Sequence, residues 1–585
     1  MKKRSFIATA VCAASLCAAL GLGMALPHEA PTPQPTATVS NSGTQETAQE
    51  PQDPQGSSST SAVSASEAAA ASAATSVTPA SAVATTPEAA PAAASVTSDP
   101  VVTVTTVSQD ETFEMPEDAE YEPEVALIQV SEEASLDEIN ASLQAGGSET
   151  AQMVAVEEVA QGCVRVELAE GSSVEDAVND LMDQGIVAAA QPNYCYTVND
   201  NETLATKALQ DNVAAASGVA NAASGEEEPS TSFSELVLEA AGVSVNDPKV
   251  GEQWALSSMG VFDAWSQVMC NNSVTVALLD LGCEVSHEDL KANIVAPYNS
   301  YNALHGGSTT DVSPLSSNPK HGTHVAGIVA ATANNGIGVS GASYNARIMP
   351  VKVVDSSGNA YTQELVKAYD YLISQKSTYN VRVANLSMGI AGTAGSDDAL
   401  YQAIDRAYAQ GIVTVAAAGN AYSGVSVPYD CYPGDYGTVV SVISLKQTSS
   451  GLARSDNSNY NASGERDKNI SAPGNNIYST IPGSYGTLTG TSMAAPQVSS
   501  VLALEFAANP NLSASEAVNI LYSTATDIGS AGWDATYGYG EVNANAAVAA
   551  AKQAAGGTVS VESTTTGGNS STGEVRTCPC YNIYK

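Results

Sequence analysis

Residues 490–496, Gly-Thr-Ser-Met-Ala-Ala-Pro, decide the fold because three further chemical blocks can be placed around them. Gly490 and Thr491 before Ser492, with small and apolar residues after it, suit a tight turn that feeds a helix. A helix that begins at Ser492 offers backbone N–H groups and a favourable field to a developing oxyanion. A serine hydroxyl is a poor nucleophile, however, unless a base lies within hydrogen-bond reach and a third group orients that base.

Two earlier blocks supply the base and the group that orients it. His321 opens the block His-Gly-Thr-His-Val-Ala-Gly, and Asp280 ends the apolar run Val-Thr-Val-Ala-Leu-Leu-Asp. In this pattern His321 takes the serine proton and later returns it to the leaving amine, while Asp280 holds the imidazole in the productive tautomer. His324 lies one helical turn after His321. A metal-binding histidine pair is the alternative interpretation, but no Glu or Cys stands at a suitable spacing, so we expect a structural role for His324.

A fourth block ends in an amide. Residues 413–420, Val-Thr-Val-Ala-Ala-Ala-Gly-Asn, form an apolar run that ends at Asn420. The side-chain amide of Asn420 is a candidate donor to the oxyanion of a tetrahedral intermediate. The competing interpretation is a turn-forming Gly-Asn pair with no catalytic role.

Strand-like apolar runs alternate with helical stretches between residues 244 and 552. The strand candidates are Val274–Leu279, Arg347–Val353, Val381–Leu386, Ile412–Ala416 and Val439–Ile443. Such alternation predicts an α/β fold with a parallel sheet flanked by helices. Active residues gather at the carboxyl ends of the strands in such sheets, and the chemical blocks fall at those ends.

At all four blocks the chain resembles the subtilisin-like serine proteases, the subtilases, in which the triad follows the order Asp, His, Ser. The resemblance implies a serine endopeptidase with a subtilisin-like parallel sheet and no catalytic cofactor, acting on protein or peptide substrates. The chain departs from the family at Leu281, which follows Asp280 where the family usually has Ser or Thr. This change removes a hydroxyl beside the carboxylate and bears on the level of activity.

The resemblance also implies which residues surround the substrate. Two walls would enclose the side chain before the scissile bond: Ser387, Met388 and Gly389 on one side, and Ala417, Ala418 and Gly419 on the other. Small residues there leave room for a sizeable side chain. No acidic residue is evident that would demand Arg or Lys, so we expect a broad or apolar preference.

A structural calcium ion is a further implication of the resemblance. Calcium takes oxygen ligands from carboxylates, amides and carbonyl groups. The positions that match calcium ligands in similar subtilases are the side chains of Asp247, Asp289 and Asn335 and the carbonyl groups of Ala333, Ile337 and Val339. The competing interpretation is a capped helix end beside an ordinary surface loop.

Residues 121–198 follow the pattern β-α-β-β-α-β, which predicts a small ferredoxin-like α+β unit. Directly before a subtilase domain, this unit resembles the family's inhibitory propeptide, a folding chaperone whose last strand lies in the active cleft; an unrelated small domain is the alternative. Residues 199–243 form a low-complexity linker in which we expect maturation cleavage. Cys163 and Cys195 are a candidate disulfide pair that the sequence alone does not decide.

The two ends of the chain have different compositions. Residues 1–26 carry Lys-Lys-Arg before an apolar stretch, which predicts a secretory signal, with an uncleaved membrane anchor as the alternative. Residues 27–120 are rich in Ala, Ser, Thr and Pro and predict a disordered spacer, and residues 553–585 predict a flexible tail.

The charge of the chain limits its partners. The 62 acidic and 21 basic residues give a formal net charge of −41, which disfavours nucleic acid and anionic membranes as partners. The sequence therefore predicts a secreted or cell-surface serine endopeptidase made as a zymogen. Two alternatives remain: a catalytically weak or inactive scaffold that binds partners at the surface, and an active enzyme that processes one precursor.

Overall fold

A computed structural model describes residues 113, 115, 120–130, 135–137, 139–141, 153–160, 162–183, 187–198, 243, 245–391, 398–421 and 428–555. The predicted signal segment and nearly all of the predicted spacer, linker and C-terminal tail lie outside these residues. Among the described helices, none has both the length and the apolar character needed to cross a membrane.

The N-terminal unit contains one antiparallel sheet. Its strands are β1 (Tyr121–Val130), β2 (Met153–Ala160), β3 (Cys163–Leu168) and β4 (Val187–Tyr196), and its helix α1 spans Val174–Met182. Residues 136, 137 and 139–141 are also helical. The strands lie in the order β2-β3-β1-β4, and every neighbouring pair is antiparallel. This arrangement confirms the predicted ferredoxin-like unit.

The hydrophobic core of this unit lies between the sheet and α1. Ala126 and Ile128 on β1 are fully buried, as is Val178 on α1. Ser173 caps α1 because its side chain accepts a hydrogen bond from the backbone N–H of Asp176. Alternation along the strands and a capped amphipathic helix together account for the fold of the unit.

The candidate disulfide of this unit is not formed. Cys163 lies on β3 and Cys195 on β4, and these strands pair with opposite sides of β1. Two strands across a sheet are about 9–10 Å apart, which is beyond the Cα separation that a disulfide spans. No disulfide bond joins any of the cysteines in the described part of the chain.

The larger unit is built on a mostly parallel sheet. Its strands are β5 (Thr275–Asp280), β6 (Tyr298–Asn299), β7 (Arg347–Lys352), β8 (Ala360–Tyr361), β9 (Val381–Leu386), β10 (Ile390–Ala391), β11 (Val413–Ala417), β12 (Cys431–Tyr432), β13 (Val439–Thr448), β14 (Gly451–Arg454), β15 (Ile470–Pro473), β16 (Ile477–Ile481) and β17 (Ser484–Leu488). The main sheet follows the order β14-β13-β11-β9-β5-β7-β6, with β15 also paired to β13. Among the described strands of this sheet, β13–β14 is the one antiparallel pair. The predicted α/β class is therefore confirmed.

Helices cover both faces of this sheet. They are α2 (Trp254–Ser258), α3 (Val261–Gln267), α4 (Ser300–His305), α5 (His321–Ala330), α6 (Thr362–Tyr379), α7 (Asp398–Ala409), α8 (Thr491–Ala508), α9 (Ala514–Ser523) and α10 (Ala544–Ala555), with a 3-10 turn at Val250–Glu252. One hydrophobic cluster joins α3, α5, α8 and α10 to the sheet, and a second cluster contains α6 and α7.

Helix α8 is the central helix of the first cluster. It is buried on all sides, as expected of a helix surrounded by protein, and it packs against α5 and α10 and against β9, β11 and β13. Val498, Val501 and Leu502 are fully buried. Burial of each such side chain contributes about 1.5–3 kcal/mol, so the N-terminus of α8 is held by a well-packed scaffold.

The N-terminal unit continues its sheet onto the larger unit. Strand β4 pairs antiparallel with β8, with Cys195 opposite Tyr361 and Tyr196 opposite Ala360. One residue further on, Thr197 forms an antiparallel bridge with Gly389.

Candidate active site

Asp280 and His321 meet at the carboxyl end of β5. Asp280 is the last residue of β5, His321 is the first residue of α5, and both side chains are buried. His321 Nδ1 lies 2.8 Å from Asp280 Oδ1, and the same oxygen accepts the backbone N–H of Leu281 at 2.7 Å. A carboxylate on Nδ1 fixes the imidazole tautomer in which Nε2 can accept a proton.

The absence of a side chain at Gly322 permits this contact. A Cβ atom added at Gly322 would lie 2.0 Å from the carbonyl oxygen of Gly282 and 2.8 Å from Asp280 Oδ1. Any side chain at this position would therefore separate α5 from the end of β5. In the His-Gly pair at the start of α5, the histidine therefore has a chemical role and the glycine has a steric one.

Leu281, the departure from the family pattern, leaves Asp280 Oδ1 with a close backbone donor. Its side chain is buried in the hydrophobic cluster that also contains Leu279 and Leu315. Its backbone N–H donates to Asp280 Oδ1 at 2.7 Å. Because this donor belongs to the backbone, Asp280 Oδ1 keeps it although Leu281 has no side-chain hydroxyl.

Ser492 is the second residue of α8 and is buried. Its hydroxyl donates to the carbonyl oxygen of Ser387 at 3.2 Å, and the Ser387 hydroxyl donates to the carbonyl oxygen of Ser492 at 2.9 Å. Asn385 connects the two further, since its amide donates to Ser387 Oγ and accepts from Ser499 Oγ, both at 2.9 Å. These reciprocal bonds fix the start of α8 against the end of β9.

Asn420 lies beside the backbone of the serine. Its Oδ1 accepts the backbone N–H of Thr491 at 3.0 Å, and its own carbonyl oxygen accepts the hydroxyl of Tyr429 at 2.9 Å. Because Oδ1 is committed to the turn before Ser492, the amide is held with Nδ2 as its donating edge. The structure therefore brings Asn420 to the N-terminus of α8.

His324 has a different environment from His321. Its Nε2 donates to the carbonyl oxygens of Ile477 at 2.9 Å and Gly486 at 3.2 Å, which belong to the β16–β17 hairpin. Burial lowers the pKa of His324 to about 3, so the ring is neutral. This agrees with the structural role expected for His324. Within the described residues, no group of three or more His, Cys, Asp or Glu side chains could hold a metal ion.

Cys431, which was not among the predicted site residues, lies close to both predicted walls of the substrate pocket. A Cβ atom at Gly389 would lie 2.9 Å from Cys431 Sγ, and one at Gly419 would lie 3.0 Å from the same sulfur. Met388 and Ala417 beside them are buried. Cys431 therefore lies between the walls, and nothing in its sequence surroundings indicated this position.

The residues predicted to bind calcium converge through hydrogen bonds of their own. Asp289 Oδ1 accepts the side-chain amide of Asn335 at 2.8 Å, and Asp289 Oδ2 accepts the backbone N–H of Val339 at 3.0 Å. Asn335 Oδ1 accepts the backbone N–H of Ile337 at 2.7 Å. Burial raises the pKa of Asp289 to about 6. Ala333, the remaining predicted ligand, directs its backbone N–H to a side-chain oxygen outside this set.

Asp247 receives the backbone of the same loop. Its carboxylate accepts backbone N–H groups from Asn334 at 2.6 Å, Asn335 at 2.9 Å and Gly336 at 3.2 Å. It also accepts the hydroxyl of Ser340. A carboxylate has about four acceptor positions, so protein donors use all those of Asp247.

Comparisons with known proteins show which proteins this chain resembles. The family described as Peptidase S8, the Subtilase family, matches residues 271–540. Subtilisin DY from Bacillus licheniformis is 39% identical over 280 residues, which cover 47% of this chain and 90% of that protein. An extracellular protease from Xanthomonas campestris pv. campestris is 32% identical over 350 residues, which cover 53% of this chain and 58% of that protein.

A solved structure has a similar fold. The crystal structure of fervidolysin from Fervidobacterium pennivorans, a keratinolytic enzyme related to subtilisin, matches with a TM-score of 0.58 at 22% identity. The match covers 74% of this chain and 62% of that chain. At this identity the likeness concerns the fold alone.

Proposed function

This chain belongs to the subtilase family of serine endopeptidases, and we propose that it hydrolyses peptide bonds through an acyl-enzyme formed on Ser492. The observation that carries the proposal is the buried hydrogen bond of 2.8 Å between His321 Nδ1 and Asp280 Oδ1. This bond prepares His321 Nε2 to take the hydroxyl proton of Ser492.

The reaction begins with a change in the direction of one hydroxyl. Ser492 Oγ donates to the carbonyl oxygen of Ser387 in this structure, and it turns towards His321 when the substrate carbonyl arrives. Oγ then attacks the carbonyl carbon, His321 accepts the proton, and Asp280 stabilises the imidazolium. His321 next protonates the leaving amine. In the second half of the reaction His321 takes a proton from water, which attacks the acyl-enzyme, and then returns the proton to Ser492 Oγ as the acid product leaves.

The developing oxyanion is met by two kinds of donor. Helix α8 begins at Thr491, so its first backbone N–H groups have no partner within the helix. The amide of Asn420 lies beside this terminus, held by the N–H of Thr491. Donors fixed before the reaction lower the barrier without a cost of reorganisation.

The alternative of an inactive scaffold is motivated by Leu281 together with the long linker. The hydroxyl usual in the family is missing at Leu281, but the backbone N–H of Leu281 still donates to Asp280 Oδ1 at 2.7 Å. Buried packing of the Leu281 side chain also fixes the turn after β5. These contacts favour the active enzyme.

We also propose that the N-terminal unit is an inhibitory propeptide. Residues Cys195 and Tyr196 pair with β8, and Thr197 exchanges two hydrogen bonds with Gly389, N–H to O at 3.3 Å and O to H–N at 3.0 Å. A strand paired in this way to the wall of a cleft is bound as an extended peptide substrate is bound.

Side chains of the same strand support this docking. Gln191 Oε1 accepts the backbone N–H of Ala399 at 2.9 Å, and Asn193 Oδ1 accepts the backbone N–H of Gln363 at 3.1 Å. Both donors lie in the first turns of helices, α7 and α6, whose N–H groups lack partners within the helix. Strand β4 thus caps two helices of the larger unit.

The register of this strand predicts the first maturation cut. Thr197 lies opposite Gly389, and in an extended substrate bound in this antiparallel register the residue two positions later would pair with Ser387. The carbonyl oxygen of Ser387 is also the acceptor for the Ser492 hydroxyl. We therefore expect the first cut directly after residue 199, at the start of the predicted linker.

A structural calcium ion at residues 333–339 is part of the proposal. Asp289, Asn335 and the carbonyl groups of Ala333, Ile337 and Val339 form a hard-oxygen set that suits Ca²⁺. Asp247 fits less well, because protein donors occupy its acceptor positions. The ion would hold the loop and take no part in the chemistry.

Extracellular action completes the proposal. A similar protein from Xanthomonas campestris is described as an extracellular protease. The strongly acidic chain suits a soluble protein outside the cell, and its substrates are proteins or peptides.

One experiment tests the activity and the zymogen together. The full chain and its Ser492→Ala variant are expressed with export, and the N-termini of the products are determined by mass spectrometry. We expect the wild type to lose its N-terminal unit by a cut after residue 199 and to digest denatured protein. The variant should remain uncut. Equal processing of both chains, or equal digestion by both, would contradict the proposal.

A further inference from the structure

The turn that contains Cys431 touches both walls of the proposed substrate pocket. Cys431 Sγ lies 2.9 Å from the Cβ position of Gly389 and 3.0 Å from that of Gly419. A Cβ at Gly434 would lie 3.0 Å from the carbonyl oxygen of Ala417. Residues 431–435, which we name the pocket turn, therefore form a third side of the cleft.

Among the described residues, the pocket turn is paired with the neighbouring strand β10 at two positions. Cys431 pairs with Ala391, and Tyr432 pairs with Ile390, in a two-stranded antiparallel pair. A pair this short has little stability of its own. The position of the turn therefore depends on contacts at its other end.

Those contacts converge on the side chain of Asp435. Asp435 Oδ2 accepts the backbone N–H of Cys431 at 2.7 Å, and the backbone N–H of Asp435 donates to the carbonyl oxygen of Cys431 at 3.0 Å. These two bonds close the turn. They fix the backbone of the residue whose sulfur lies between the walls.

Lys468 holds the Asp435 carboxylate from behind. Its Nζ lies 3.0 Å from Oδ1 and 2.8 Å from Oδ2, and the side chains are only 1% and 3% exposed for Lys468 and Asp435. The backbone of Lys468 is itself held by Asn461 through two hydrogen bonds of 2.8 Å. Such an ion pair is poorly screened by solvent, and its geometry is fixed by packing.

We propose that Asp435, held by Lys468, is a positioning residue that sets the size selectivity of the pocket between Ser387–Gly389 and Ala417–Gly419. Asp435 acts through the backbone of Cys431 and touches no reacting atom. The inference rests on the proposed function, since it assumes that this pocket receives the side chain before the scissile bond. A pocket whose third side is fixed discriminates side chains by size, whereas a mobile side yields to larger ones.

The test uses two double variants that leave no buried charge unpaired. Asp435→Ala with Lys468→Met removes the ion pair and the acceptor for the Cys431 N–H. Asp435→Asn with Lys468→Met removes the ion pair but keeps an acceptor oxygen. Removal of one partner alone would leave the other charge buried, which is strongly destabilising.

Two measurements are made on the matured full-chain product of each variant. The first is the ratio of kcat/KM for peptides with Phe and with Ala before the scissile bond. The second is the rate of labelling by a small fluorophosphonate, which reports the nucleophile without filling the pocket. Thermal unfolding shows whether each variant is folded.

We expect the Ala/Met variant to favour Phe over Ala by about tenfold more than the wild type, the scale on which apolar pockets discriminate. Its labelling should stay within about twofold of the wild type, and the Asn/Met variant should keep the wild-type ratio. If the Ala/Met variant does not fold, Asp435→Glu, which keeps the charge and displaces the acceptor, should give the same shift in ratio.

Three results would overturn the proposal. One is an unchanged ratio in a folded Ala/Met or Asp435→Glu variant. Another is a parallel fall of labelling and of both peptide rates, which a purely structural role would produce. The third is a wild type that is not labelled at all, and this result alone would also contradict Ser492 as the nucleophile and with it the proposed function.

Discussion

Two buried aspartates of this protein use their oxygens in opposite ways. Asp280, at the end of β5, gives Oδ1 to His321 and to one backbone N–H, and its Oδ2 has no hydrogen-bond partner among the described residues. Asp247, before α2, gives its oxygens to three backbone N–H groups and one hydroxyl. Both residues are nearly inaccessible to solvent.

The difference separates a carboxylate that takes part in chemistry from one that anchors a loop. Four hydrogen-bond donors compensate the negative charge of Asp247, so its carboxylate stabilises the fold. Asp280 is compensated only in part, and the remaining field acts on the imidazole of His321. The positive charge that forms on the imidazole of His321 during the reaction is therefore stabilised by Asp280, whose carboxylate has few other partners.

Glu505 is a third case in the same molecule. It lies in α8, is fully buried, and neither of its carboxylate oxygens has a hydrogen-bond partner within the described residues. Burial raises the pKa of Glu505 well above its usual value. An acid in such a site is kept neutral, so Glu505 is expected to cost stability.

The largest expected effect separates Asp280 from Asp247. Asp280→Asn should lower kcat by about 10⁴-fold, because the amide favours the wrong tautomer of His321. Asp247→Asn is the matched control and should leave kcat unchanged at a temperature where the variant is folded. Steady-state hydrolysis of a chromogenic peptide measures both. A similar loss of kcat in the two variants would remove the distinction between them.

The oxyanion donor should have the next effect. Asn420→Ala is expected to lower kcat by about 10²–10³-fold with little change in KM, a range that comes from the equivalent change in subtilisin, a member of this family. The reason is that the amide binds charge which appears only during the reaction. The same peptide assay measures kcat and KM separately. A rise in KM at constant kcat would assign Asn420 to ground-state binding instead.

Stability should respond in the reverse order to activity. Asp247→Asn should lower the free energy of unfolding by about 1–3 kcal/mol, because its amide nitrogen cannot accept the backbone N–H groups of residues 334–336. Asp280→Asn should cost less, since fewer donors depend on it. Denaturant unfolding of the Ser492→Ala background, which prevents self-digestion, measures both changes. Equal losses would show that Asp247 is no more of an anchor than Asp280.

The last effect concerns Glu505 and is small near pH 5, because it grows only as the pH rises. The unfolded chain releases the Glu505 proton near the usual pKa of about 4.5, while the folded protein retains it to higher pH. Between the unfolded and the folded pKa, the free energy of unfolding therefore falls as the pH rises. The loss amounts to at most about 1.4 kcal/mol per pH unit. Glu505→Leu should remove this pH-dependent loss, so its gain in the denaturant midpoint should be larger at pH 8 than at pH 4. An equal gain at both pH values would assign the change to packing instead of ionisation.

Much of this arrangement could be predicted from the sequence because it depends on local patterns. The predicted strand Val381–Leu386 and helix Val174–Met182 coincide with β9 and α1, and the predicted end of β5 differs by one residue. Apolar runs, capping residues and the chemical blocks are all readable along the chain.

The rest depends on contacts between distant segments. The pairing of Thr197 with Gly389 and that of Asp435 with Lys468 are set by the register and packing of whole elements. The environment of Asp247 depends on backbone N–H groups, which carry no side-chain signal in the sequence. The chemical groups could therefore be predicted from the sequence, but the hydrogen bonds and ion pairs that surround each group could not.

The rate at which a fluorophosphonate modifies Ser492 tests the central claim most directly. The matured wild type should gain one adduct, located on Ser492 by peptide mass spectrometry. His321→Ala should react more slowly by at least about 10⁴-fold, in line with the loss seen on removal of the equivalent histidine in subtilisin. Equal rates in the two proteins, or an adduct on another residue, would contradict the account.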